Sequence, residues 1–433
     1  MDQHDGRAWI SAAEAAGLLG IRRATLYAYV SRGLVRSVPA VDGRSRRYLR
    51  ADLDTLRARR DAHAGHGAAA AGAMRWGEPV LESALTHITA AGPRYRGRPA
   101  LALARDASYE AVAELLWTGA LPALPPRWIA GGQGVPARRL AALLPAAARP
   151  LDAMILTLAA LEVAVPSRGD ATEDAAVARG RVLCRRLAAS VALPGRADRL
   201  PAALAADTVA ESVLVAFGAR VTAARVRAVQ AALILVADHE LNPSSFAARI
   251  PASVGADLLA AVGAAIQALS GPLHGAAADF VEAMLSEARG PEGALRVVRQ
   301  RLRRGEMIPG FGHRLYPGGD PRAAPLLAHA EALAPGSRVV RSVRAFVDAM
   351  ALASQEHPTV DLGLCALAGA LGLPAGGAVA LFAAGRAAGW IAHALEQRRA
   401  GFALRPRARY VGEDERSLAT AGSASSTAGA LTS

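Results

Sequence analysis

IPGFGHRLYPGGDPRA, residues 308–323, is the stretch that decides the fold. Four glycines and three prolines in sixteen residues rule out a regular helix or strand. Yet the stretch carries His313, Arg314, Asp320 and Arg322. Helix-like runs flank it, Gly293–Arg304 before and Arg338–Ser354 after, so its polar residues sit at an interruption between helices. The same arrangement recurs in ADHELNPSS (237–245), SGPLHGAAADF (270–280), HPTVDLGLCAL (357–367) and GRAAGWIAHALEQR (385–398), with RPRARYVG (405–412) near the end. Taken singly, each has a bland explanation. His239 can cap the helix that ends there, GPLHG can open a helix, and Gly385 with Gly389 can be a close-packing stripe.

Composition agrees with a helical reading. The chain has 433 residues, too long for one ordinary compact unit, so two or more domains are expected. Hydrophobic residues make up 52% and aromatics only 4%, and the apolar content is mostly Ala, Leu and Val. Ala and Leu favour helix, and β-branched runs are scarce, which predicts an all-α protein. Further helices are expected at Ala224–Ala237, Gly255–Leu269, Ala277–Ala288 and Ala378–Arg398. The net charge of +13 arises without a single Lys, since all 50 basic residues are Arg. Residues 1–60 hold twelve Arg against six Asp or Glu, so an anionic partner is expected mainly there. Two cysteines, Cys184 and Cys365, exclude a disulfide framework and fit a reducing cytosol. The first residues lack the basic and apolar regions of a signal peptide. No uncharged apolar run reaches the ~18 residues of a membrane span. A cytoplasmic protein that does not enter membranes is the expectation.

Residues 9–60 read as a small helical unit. Ser11 and Glu14 form a capping box for a helix over Ala12–Leu19, and Gly20 ends it. A second helix is predicted over Arg22–Arg32, with Leu26 and Val30 inward and Arg22, Arg23, Tyr27 and Tyr29 more exposed. Asp42-Gly43 signals a hairpin turn followed by Arg44, Arg46 and Arg47, and a third helix starts near Ala51. This order resembles the winged helix-turn-helix unit of MerR-type and excisionase-type proteins. The resemblance implies that Arg22, Arg23, Thr25, Tyr29, Arg44, Arg46 and Arg47 face DNA, a helix entering the major groove and arginines neutralising phosphates. A unit used only for dimer contacts fits the same residues. Residues 61–73 read as a linker, and the uncharged 417–433 as a disordered tail.

From about Arg75 to Gly412 the order and spacing of the interrupted segments resemble the citrate synthases, together with RYRGRPALALARDASYEAVAELLWTGALP (94–122) upstream. The resemblance implies a large helical domain (74–275 and 371–416) and a small one (276–370) hinged over a substrate cleft. It implies a condensation of acetyl-CoA with oxaloacetate. Asp361 would remove a methyl proton, His274 would stabilise the enolate oxygen, and His313 would serve the keto oxygen. Such a proton is too weakly acidic for a base alone, so charge on the oxygen must be stabilised as it develops. Arg322, Arg386 and Arg405 would bind the carboxylates in the bidentate manner that Arg favours, with His239 as a fourth contact. Arg405 would reach across a homodimer, and Arg314 stands where it can serve the CoA phosphates or simply be solvated. No cofactor and no metal are implied, acyl-CoA being a substrate.

The pattern departs from the family at three places. Ala278 stands where Asn is common, Leu362 where Phe follows the aspartate, and Thr359 where Asn is usual. These touch the acyl side and keep 2-methylcitrate synthesis from propionyl-CoA open. A DNA-binding regulator that uses the synthase fold as a metabolite sensor is a further alternative.

Overall fold

The computed structural model describes residues 9–31, 34–40, 45–54, 56, 81–129, 131, 135–164 and 172–408. The expected linker 61–73, the tail 417–433, the ends of the large domain at 74–80 and 409–416, and Arg44 lie outside the described residues. The chain forms two compact units, Met1–Ser83 and Ala84–Ser433.

In the first unit β1 (Trp9–Ser11) leads into α1 (Ala12–Leu19) and α2 (Arg23–Ser31), followed by β2 (Ser37–Pro39) and β3 (Arg46–Leu49). Ser11 and Glu14 cap α1 reciprocally, and Gly20 ends it in the left-handed conformation at φ 57°. β3 pairs antiparallel with both β1 and β2, Ile10 opposite Tyr48 and Val38 opposite Arg47. Residues 50–54 and 56 are helical, as expected from Ala51 onward. Ala15, Leu19, Leu26, Val35, Tyr48 and Leu53 form the core. Arg22 and Arg23 are exposed and Thr25 is half-buried. Tyr29 departs from the expectation of an exposed residue: it is half-buried and packs on the core, because it lies three residues from Leu26 on the same helix face. In the hairpin, Arg46 Nε donates to Ser37 Oγ at 3.0 Å, and Arg47 is half-buried.

The second unit opens with a small antiparallel sheet, β4 (Thr86–Thr89), β5 (Gly92–Tyr95) and β6 (Arg98–Pro99), the one exception to an otherwise helical unit among the described residues. Then come α3 (Ala100–Asp106), α4 (Tyr109–Thr118), α5 (Ala137–Leu143), α6 (Pro150–Ala164), α7 (Glu173–Ser190), α8 (Leu193–Arg196), α9 (Leu200–Ala205) and α10 (Val209–Phe217). The part that holds the polar segments follows. It comprises α11 (Ala223–Leu235), α12 (Pro243–Ser253), α13 (Leu258–Leu269), α14 (Ala277–Ala288) and α15 (Ala294–Arg303), then α16 (Ala323–Leu333), α17 (Arg338–Ala353), α18 (Val360–Leu371) and α19 (Gly377–Ala400). The helices expected from the Pro/Gly punctuation correspond to α11, α13, α14, α15, α17 and α19 to within a few residues, whereas α12, α16 and α18 were not foreseen.

α19 is the hub of the unit. It packs against α4, α6, α7, α11, α12, α13 and α18. By length and composition it is apolar enough to cross a membrane, but its apolar window is wholly buried within the fold. Each fully buried Leu, Ile, Val or Phe on it contributes roughly 1.5–3 kcal/mol. Gly385 and Gly389 let it approach α11 closely. A Cβ at Gly385 would stand 2.5 Å from Val236 Cγ2 and 2.6 Å from the Leu233 carbonyl, and one at Gly389 would stand 2.3 Å from the Ala237 carbonyl. The stripe is therefore a packing device, and it also sets Arg386, between the two glycines, against the end of α11.

Candidate active site

Two glycine-rich loops are stitched together by backbone. Phe311 bridges Pro358, Thr359 N–H donates to the Gly310 carbonyl at 2.8 Å, and Gly312 N–H donates to the His357 carbonyl at 3.0 Å. Gly310 holds φ 83°, and a Cβ there would press on Val281 and Leu362 at 3.0 and 3.1 Å, so glycine is required by conformation and by space. This short ladder brings His313 beside the first turn of α18, which carries Asp361. Asp320 ties the same junction from below, since its Oδ2 accepts the Val360 N–H at 3.0 Å.

Arg322 is buried and forms a fork with Asp320, Nε to Oδ1 at 2.9 Å and Nη2 to Oδ2 at 2.8 Å. Burial would raise the Asp320 carboxyl, but the Arg322 charge and hydrogen bonds outweigh it and hold the group below the usual carboxylate range. Arg386 is equally buried. Its Nε donates to the Val236 carbonyl at 2.6 Å, its guanidinium lies 4.6 Å over the Phe382 ring, and burial pushes it down to about 10, so it stays charged at neutral pH. One of its five donors is used by the backbone. Asp238, wholly buried nearby, accepts from His393 at 3.2 Å and from the Thr86 hydroxyl at 2.5 Å. His393 Nδ1 in turn accepts from Arg249 Nε at 3.0 Å, which puts the imidazole proton on Nε2, toward Asp238.

Three imidazoles gather around these charges. His239 Nε2 lies 2.9 Å from the Tyr316 hydroxyl, and the His239 and His313 rings meet edge to face at 5.5 Å. Burial, followed by Arg322 and Arg386, pushes His239 well below its ordinary value. His239 is therefore a neutral hydrogen-bonding group here. His313 Nδ1 accepts the Leu315 N–H at 3.1 Å, so the neutral ring keeps its proton on Nε2. His274 Nε2 lies 2.7 Å from Ser244 Oγ, which also receives the Trp390 indole N–H at 3.0 Å and stands 2.8 Å from Asn242 Oδ1. Burial and the Arg386 charge push His274 down to about 3, so it too is neutral. Asp361 is the opposite case. Burial raises its carboxyl to about 6 against the pull of Arg322, and Thr359 Oγ1 lies 3.3 Å from Oδ2. His274, His313 and Asp361 are half-buried, while His239, Arg322 and Arg386 are buried beneath them.

The structure thus brings six sequence-predicted residues into one neighbourhood, three neutral imidazoles, two buried cations and one carboxyl of raised pKa. Arg405 stands apart, exposed in the irregular segment after α19, and Arg314 is exposed beside His313. Ser244, Tyr316 and the Asp238–His393 pair escaped the sequence reading, which noted Asp320 without a role and Thr359 only as a departure from the family pattern. Asp320 lay in plain view within the DPR triplet. Ser244 is signalled only by its place after Asn242-Pro243, which caps α12. Replacing Ser244 with Ala is expected to leave the His274 ring and the Trp390 N–H unpaired. The loss should be about 1–3 kcal/mol of stability, together with a lower turnover, read by thermal melting and steady-state kinetics.

The sequence comparisons bear on this arrangement. The family described as "Citrate synthase, C-terminal domain" matches residues 73–407. The chain belongs to the citrate synthase family. Residues 9–61 match a "Helix-turn-helix domain". Among curated relatives, "Putative citrate synthase 2" of Mycobacterium tuberculosis is 42% identical over 199 residues, 44% of this chain and 53% of the relative. The chain thus spans about half the length of that relative. "2-Methylcitrate synthase" of M. tuberculosis is 31% identical over 75% of this chain and 86% of its own, and "Citrate synthase" of Haloferax volcanii is 31% identical over 78% and 94%. Among solved structures, the citrate synthase of Thermoplasma acidophilum in ternary complex with carboxymethyl coenzyme A and oxaloacetate superposes with a TM-score of 0.68. It is 26% identical, and the match covers 78% of this chain and 95% of that one. The citrate synthase of Thermotoga maritima gives a TM-score of 0.63 at 27% identity, covering 78% and 94%. All six residues lie in the second unit.

Proposed function

We propose that this member of the citrate synthase family condenses acetyl-CoA with oxaloacetate and water to give citrate and CoA. The observation that carries the reading is Asp361, a carboxyl raised to about 6 in a neighbourhood of neutral imidazoles and buried arginines. Near neutral pH it is mostly ionised, yet basic enough to take a proton from the thioester methyl. His274 donates from Nδ1 to the thioester oxygen as the enolate forms, with Nε2 accepting a hydrogen bond from the Ser244 hydroxyl, which turns from Asn242 Oδ1 to make it. A neutral donor suits this step, because it stabilises the oxyanion without first protonating it. The carbon nucleophile attacks the keto carbon of oxaloacetate, and His313 Nε2–H supplies the proton for the new alkoxide. Water then cleaves the citryl thioester and CoA leaves as the thiol.

Arg322 and Arg386 hold the oxaloacetate carboxylates, and His239 adds a hydrogen bond. Arg322 keeps Asp320 as its permanent partner, so substrate meets a guanidinium already oriented. Arg405 is read as serving the neighbouring subunit of a homodimer, which accounts for its exposure in one chain. Arg314 is read as a contact to CoA phosphate. Hinged closure of 276–370 over the rest would exclude water before enolisation. The two cysteines are buried thiols, in keeping with a cytoplasmic protein.

Release of free thiol from acetyl-CoA with oxaloacetate, followed alongside propionyl-CoA, tests the reading. Faster turnover of propionyl-CoA would instead make 2-methylcitrate the product, and no thiol from either would leave the fold as a metabolite sensor. The helix-turn-helix unit is read as touching DNA through exposed Arg22, Arg23 and Arg46. Its affinity should fall with salt and weaken when these become Gln, and binding indifferent to both would remove the DNA reading.

A further inference from the structure

A cleft of about 610 Å³ opens between α14, α17, α18 and the segment 373–375, and no residue of the cluster around Asp361 lines it. Its volume falls within the range that holds drug-sized ligands, and its walls have the mixture such ligands meet. Leu285, Val339, Ala368 and Leu373 supply apolar surface, while Ser286 and Ser342 add hydroxyls. At the rim stand two exposed arginines, Arg289 and Arg338. Arg289 adopts φ 57°, a left-handed conformation uncommon for a side chain of this size. Arg338 Nη2 donates to the Arg289 carbonyl, so the two residues are already neighbours.

The position of the cleft matters as much as its lining. α18 carries Asp361 on its first turn and gives Cys365, Ala368 and Gly369 to the cleft wall on the following turns. Glu282, which also lines the cleft, belongs to a charge cluster that links three segments. Arg149, just before α6, forms a fork with Asp279 at 2.5 and 2.6 Å, and Glu282 lies 3.9 Å from the same guanidinium. Glu282 accepts the Gly376 N–H at 3.1 Å where the chain leaves the cleft for α19. An occupant would therefore press at once on the helix of the proposed base and on the segments that enter and leave α14–α18.

We propose that this cleft is a regulatory site for a small organic anion with an apolar body, whose charged end is held by Arg289 and Arg338. The apolar body rests on Leu285, Val339 and Leu373, and occupancy changes turnover by shifting α18. The regulatory half rests on the proposed condensation, whereas binding itself does not. Nucleotides and fatty acids share the required chemistry, so ATP and decanoate serve as separate probes by calorimetry on the full chain. One of them should bind saturably without displacement by acetyl-CoA, and should shift the acetyl-CoA KM or kcat at least about twofold. The double variant Arg289→Gln/Arg338→Gln should weaken that binding about tenfold or more while leaving the basal rate unchanged. Ser286→Trp, which fills the cleft from an exposed position, should block it. Failure of both probes to bind at millimolar concentration, binding that survives both variants, displacement by acetyl-CoA, or binding without any kinetic shift in an active enzyme would overturn the proposal. An inactive wild type that still binds a probe through the arginines would remove the condensation and leave the binding site standing.

Discussion

Asp361→Asn is expected to lower kcat by about two to four orders of magnitude while leaving the protein at least as stable as its parent. The amide keeps the shape of the carboxyl and its contact with Thr359 but cannot accept a proton from carbon. The stability sign follows from the folded-state pKa, which is raised to about 6 from an ordinary 3.8. Between these values the folded chain binds the proton more tightly than the unfolded chain, so stability rises as pH falls through that window. At neutral pH the partly desolvated carboxylate is a cost of order 1–3 kcal/mol, which the amide removes. The parent's kcat/KM should fall on the acid side with an apparent pKa near 6, since the base must be ionised. An Asn variant retaining a tenth of the activity would take the role of base away from Asp361. An acid limb near 4 would mean that its surroundings do not raise the carboxyl.

Asp320→Ala is expected to destabilise the second unit by about 3–5 kcal/mol, because it strands the Arg322 guanidinium without its carboxylate in a buried site. The variant also removes the acceptor that holds the Val360 N–H, so the first turn of α18 loosens where Asp361 stands. A lower melting temperature, a higher KM for oxaloacetate and a lower kcat should therefore appear together. Asp320→Asn, which keeps one acceptor oxygen, should fall between parent and Ala variant. Because the Asp320 carboxyl is held below its ordinary value, its contribution is present above the usual carboxylate range and is lost as pH falls below it. Thermal melting and kinetics across pH 3–8 read both effects. An Ala variant that melts with its parent and keeps its KM would show that Arg322 does not depend on Asp320.

Much of the fold was legible because its cues are local. Ala and Leu in runs between Pro and Gly gave helices, and Ala277–Ala288 came out with the bounds foreseen. Gly385 and Gly389 declared a close approach, although not what was approached. The phase of α2 was read slightly wrong: Tyr29 turns toward the core with Leu26, since tertiary packing set the inward arc wider than two residues suggested. The candidate site was legible as a set of residue types at helix breaks. Its supports were not. Ser244 lies 30 residues from His274, Tyr316 lies 77 from His239, and Asp238 lies 155 from His393. No periodicity or spacing links positions so far apart.

By itself, then, the sequence determined which residues can react and that helices would carry them, because helix propensity, loop chemistry and side-chain type belong to short stretches of chain. Only the tertiary structure decided their protonation and orientation. Whether a carboxyl keeps its proton near 6, or an imidazole stays neutral, depends on the burial and charges around it. Here those surroundings are assembled from α11, α12, α16, α18 and α19, which meet only when the chain has folded.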